Sequence, residues 1–161
     1  MSNVLCNPRE YGFAADFAEP YFLFTDDVQF KAHADYRVAK AGDQVAALNL
    51  VWDLTVEFLI DTVRKLQPKV IYISPFAHET TGDNAITQVL AAICAEIVGG
   101  TVDNKIVQVT RIFHNGADQM ERLITRAQFE CEVLRGKNYV LIVDVVNMGS
   151  TLTNLADYIQ K

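Results

Sequence analysis

Apolar residues recur at helical spacing along much of this chain. Val45, Leu48, Trp52, Val56, Leu59 and Val63 follow one another at three- and four-residue intervals. That period predicts a helix from about Gly42 to Leu66 whose stripe, Trp52 included, faces the core. Asp43 is a candidate N-cap, and Pro68 ends the element. Val70-Ile71-Tyr72-Ile73 is short and almost wholly apolar, the pattern of a strand covered on both faces. A second helix is expected over Ala85–Val98, stopped by Gly99-Gly100. Ile106–Val109 reads as a strand. Residues 118–134 read as a helix with Met120, Leu123, Ile124, Phe129 and Val133 as its apolar positions. Tyr139–Val143 is the strongest strand, and a last helix runs from Ser150 or Thr151 to Gln160. Near the start, Tyr21–Phe24 and Val28–Phe30 read as a hairpin around Thr25-Asp26-Asp27.

Strand and helix thus alternate from residue 70 onward. The expected fold is α/β, an open and mainly parallel twisted sheet flanked by helices. Ligands of such sheets bind beyond the carboxyl ends of the strands. The loops after Ile73 and after Val143 therefore carry the interest.

Composition narrows the partners. The 161 residues suit a single domain, and half of them are hydrophobic. Fourteen basic against twenty acidic residues give a net charge of −6. Without a Lys/Arg run, neither duplex nucleic acid nor an anionic membrane is an expected partner. No apolar run reaches the length of a membrane span. The first residues lack the plan of a signal peptide. Cys6, Cys94 and Cys131 have no paired spacing. Together these point to a reduced, cytoplasmic setting.

In the second loop, a buried strand ends at Asp144, and Gly149-Ser150-Thr151 opens a helix. Unpaired amides at the positive end of a helix dipole, beside two hydroxyls, suit an anion. Neither G-x-G-x-x-G nor G-x-x-x-x-G-K-[ST] occurs, so dinucleotide and Walker-type sites are excluded. His33, His78 and His114 lack metal-ligand spacing.

The stretch Tyr139–Leu152 resembles the phosphoribosyl-diphosphate motif of type I phosphoribosyltransferases. Asp144 matches its second acid, Val145 and Val146 its aliphatics, and Gly149, Ser150 and Thr151 its glycine-hydroxyl end. Val143 replaces the first acid, and Asn147 and Met148 replace the paired hydroxyl residues. Ile73-Ser74-Pro75 followed by Gly82 and Asn84 is similar to the competence-protein-F branch, as are Tyr36, Gly42-Asp43, Arg111, Gln119, Arg122, Arg126 and Phe129. The resemblance divides the chain into a hood-like segment, 1–35, and a core, 36–161. The family's last edge strand is either absent or lies in a longer natural protein.

The resemblance implies transfer of a phosphoribosyl group from phosphoribosyl diphosphate, with pyrophosphate leaving. It gives Asp144 the ribose contact and a magnesium ion carried by the diphosphate. Val145, Val146, Asn147, Met148, Gly149, Ser150 and Thr151 would seat the phosphate, and Ser74, Pro75, Phe76 and Ala77 the pyrophosphate. Arg111, with His114 and Arg122, would close over the leaving group. A homodimer is common among such relatives. Val143 in place of an acid keeps open the alternative, a non-catalytic sensor or scaffold for a phosphoribosyl ligand. A third reading is a doubly wound domain with no phosphate site.

Overall fold

The computed structural model describes residues 11–13, 20–63, 65, 69–77, 84–108, 128–146 and 149–161. Two short helices, α1 (Val28–Ala32) and α2 (Tyr36–Lys40), precede the long α3 (Gln44–Val63). Then come β1 (Val70–Ile73), β2 (Phe76–Ala77), α4 (Ala85–Val98), β3 (Gly100–Asp103), β4 (Val107–Gln108), β5 (Phe129–Glu130), β6 (Tyr139–Leu141) and α5 (Ser150–Gln160).

The protein is a mixed α/β fold on a small, wholly parallel sheet of order β3-β1-β6. Val70 pairs with Gly100 on one side of β1, and Ile71 with Tyr139 on the other. A second sheet, β2-β4-β5, is parallel between β2 and β4 and antiparallel between β4 and β5.

The pleat of β1 decides what covers each face, because side chains alternate. Val70 and Tyr72, with Val140 and Ile142 beside them, pack against Leu50, Val51, Ile86 and Leu90 of α3 and α4. Ile73 points the other way, to Leu155 of α5, Ile106 and Phe129. Helices therefore lie on both faces, which is why β1 is apolar at every position.

Both long helices carry the caps their sequences call for. Asp43 Oδ1 accepts from the Ala46 amide at 2.8 Å. Asn84 Oδ1 accepts from the Ile86 amide at 3.2 Å. Each removes one unpaired donor from a helix start.

Several expectations are corrected. Val28–Phe30 is not a returning strand; it opens α1, because Asp26 Oδ1 accepts from the Val28 amide and starts a helical turn. Tyr21–Phe24 forms no strand. Phe129 lies in β5 and not on a helix, paired opposite Gln108. Residues 118–127 of that expected helix lie outside the described residues, and 131–134 are not helical. The stripe on α3 faces the core only in part. Leu59 is buried as expected, but Val45, Leu48 and Trp52 are exposed, and the first half of the helix buries Ala46, Ala47, Leu50 and Val51 instead. Two alanines let α2 and α4 approach α3 closely, so the small residues face inward and larger ones are left outside.

Cys94 of α4 and Tyr72 of β1 are buried in the core under α3 and α4. Burial pushes the Cys94 thiol up from 9.0 to about 11. The Tyr72 phenol is raised too, first by burial and then by the neighbouring Cys94 charge. A raised acid favours the protonated form, so this contribution is complete below pH 9.0 and is lost as pH climbs toward about 11. At order-of-magnitude level it amounts to about 2–3 kcal/mol. Urea titrations across that window should show the native chain weakening more steeply than Cys94→Ala; parallel curves would contradict it.

Candidate functional site

β1 and β6 lie side by side, and the helices that follow them in sequence pack on opposite faces: α4, beyond β2, packs with Tyr72, and α5 packs with Ile73. In open α/β sheets such a switch between neighbouring strands is where ligands bind, in the crevice beyond their carboxyl ends.

Asp144 stands just past β6, at that end of the sheet, with its side chain only 9% exposed. Lys40, the last residue of α2, places its Nζ 2.6 Å from Asp144 Oδ2. Asn84 Nδ2, from the cap of α4, donates to the same oxygen at 3.2 Å. The Val145 amide donates to Oδ1 at 3.0 Å. Three separate parts of the chain thus meet on one carboxylate. A carboxylate this sheltered needs such partners, since an unpaired charge loses its hydration with nothing in return.

The other expected site residues fall around it. Ser74 is buried just past β1, and Pro75 is half-buried beside it. Phe76 and Ala77 continue into β2 and so belong to the second sheet's ladder with Val107 and Gln108. Val146 is exposed. Gly149 has φ +69°, a left-handed turn that lets the chain swing into α5. Its carbonyl accepts from the Thr153 amide and hydroxyl, both at 2.9 Å. Ser150 and Thr151 are half-buried at the start of α5. Asn147, Met148, Arg111, His114 and Arg122 lie outside the described residues.

Lys40 is the partner that sequence reasoning missed. Nothing in local pattern links it to Asp144. Asn84 was legible, as an Asx residue immediately before an apolar helical run.

Among the described residues no group of three or more His, Cys, Asp or Glu is placed to hold a metal ion. An ammonium already stands against Asp144 Oδ2. Among the described residues, too, no helix is long and apolar enough to cross a membrane.

Comparison with known proteins decides against the family resemblance. Protein TraN of Escherichia coli is 35% identical over 134 residues, covering 79% of this chain and 29% of TraN. This chain is similar to part of TraN. An uncharacterized protein of Haemophilus influenzae is 30% identical over 132 residues, covering 81% of this chain and 30% of its own length. The chain thus spans less than a third of the curated relatives it matches. No protein-family profile matches it, and no solved structure does.

The assignment to type I phosphoribosyltransferases is therefore corrected. With it go phosphoribosyl transfer, its pyrophosphate product and the phosphoribosyl-sensor alternative. The reason is physical. A buried parallel strand ending in an acid, followed by a glycine turn and a hydroxyl-bearing helix start, is what a strand-to-helix crossing requires in many α/β proteins. Here Val143 replaces the acid that would complete the motif, and the acid that remains is engaged by Lys40 and Asn84.

Proposed function

We propose that this chain is a recognition module of a longer, TraN-like protein, with the crevice at Asp144 as its ligand site. The similarity supports a module: most of this chain aligns with a minor part of each relative. The observation that carries the site is the meeting of Lys40, Asn84 and Asp144 beyond the carboxyl end of β6. Lys40 is a third exposed while Asp144 is nearly enclosed. Its flexible stem can swing out and leave the carboxylate to a ligand. A small molecule bearing hydroxyl or amino donors matches what Lys40 and Asn84 now supply.

Exchanging the matching stretch of Escherichia coli TraN for this chain tests the reading. The chimera should keep TraN's function in the cell, and the same chimera with Asp144→Asn should lose most of it. Asparagine keeps the shape and removes the charge, at a stability cost of about 1 kcal/mol because Lys40 is partly solvated. An inactive parent chimera, or an Asp144→Asn chimera as active as its parent, would defeat the proposal.

A further inference from the structure

The outer side of α3 is apolar over its first half and acidic over its second. Val45, Leu48 and Trp52 are 69%, 46% and 60% exposed, at spacings that put them on one face. Val38 of α2 is exposed beside them, its carbonyl accepting from the Asp43 amide at the approach to α3. Asp53, Glu57 and Asp61 are exposed at four-residue intervals on the neighbouring row, with Asp53 Oδ2 3.3 Å from His33 Nε2. From Gln44 to Val63 the helix contains no lysine or arginine.

An apolar patch that includes an exposed tryptophan is unusual on a surface that meets only water. Tryptophan is also the residue type that most often dominates interface energy. The helix does not need this stripe for its own packing, which uses Ala46, Ala47, Leu50 and Val51. The neighbouring acidic row repels a second copy of itself and attracts the opposite sign.

We propose that the outer face of α3 is a docking surface for a basic amphipathic helix of a partner protein. The partner's apolar residues would cover Val45, Leu48 and Trp52, and its lysines or arginines would lie along Asp53, Glu57 and Asp61. This is helix-on-helix recognition with charges setting orientation. It is independent of the crevice at Asp144.

Trp52 is the chain's single tryptophan, so its emission reports the surface directly. The probe is a synthetic helical peptide with leucines on one face and lysines on the other. Its control is the same peptide with glutamates for lysines. The lysine peptide should shift Trp52 emission to shorter wavelength in a saturable way, and roughly tenfold more weakly at high salt. Leu48→Asp should remove binding, and Asp53→Asn with Glu57→Gln should flatten the salt dependence. Val28→Asp, exposed on α1, should leave binding unchanged. Circular dichroism would show that each variant is folded. Equal binding of both peptides, no emission shift, or indifference to Leu48→Asp would overturn the proposal. So would sedimentation showing that the chain alone self-associates through this face and that Leu48→Asp abolishes it.

Discussion

Gly100→Val should destabilise the protein by about 3 kcal/mol or more, read as a fall in urea midpoint at unchanged slope. Gly100 opens β3 at φ +142°, where side chains are rarely accommodated. An added Cβ there would stand 2.6 Å from the Val70 carbonyl oxygen and 3.0 Å from the Tyr72 ring. Neither neighbour can give way. Val70 is the residue that pairs with Gly100 in the parallel ladder, and Tyr72 is fully buried. Strain in the backbone and overpacking in the core therefore add. Gly99→Val is the matched control. It carries the positive-φ cost, but its Cβ meets nothing within 4 Å, so it should cost markedly less. Equal losses at the two positions would show that the contact with Val70 and Tyr72 is unimportant.

Asp157→Ala should cost about 2–4 kcal/mol, through hydrogen bonds to a charged acceptor that are lost together. Asp157 is a buried carboxylate near the end of α5. Its Oδ1 accepts from the Tyr11 amide at 2.7 Å and the Gly12 amide at 3.3 Å, and Lys161 Nζ lies 3.0 Å from Oδ2. Removing the carboxylate takes the acceptor from two backbone donors, while Lys161, 42% exposed, returns to water at little cost. Hydrogen exchange at Tyr11 and Gly12 should accelerate with the substitution by more than the fall in global stability accelerates the amides of β1. Asp157→Asn should recover part of the loss, since an amide oxygen still accepts. Unchanged exchange at residues 11 and 12 would contradict the assignment.

The elements that sequence pattern reveals best are those with one dominant demand. β1, α4 and α5 appear with nearly the expected bounds because a doubly covered strand and a capped, glycine-terminated helix leave few alternatives. α3 appears too, yet its orientation does not. Large apolar residues at helical spacing imply a core face only when nothing smaller competes, and here Ala46 and Ala47 win the interior by permitting close helix contact. β3 escapes notice because Gly100-Thr101-Val102-Asp103 has no apolar run; β1 imposes its extended form through pairing. Phe129 and Glu130 read as helical for the same reason in reverse, since their partner β4 is distant in sequence. At the candidate site, Asp144 was legible from the strand before it and the turn after it. Its tie to Lys40 was not, because it joins residues that only the folded chain brings together.

The Asp157 contacts have a geometrical corollary. They hold Tyr11 and Gly12 against the final turn of α5, where the Arg135 guanidinium also meets the Lys161 carbonyl. Backbone entering at Tyr11 and backbone departing at Lys161 therefore run through one small patch of surface.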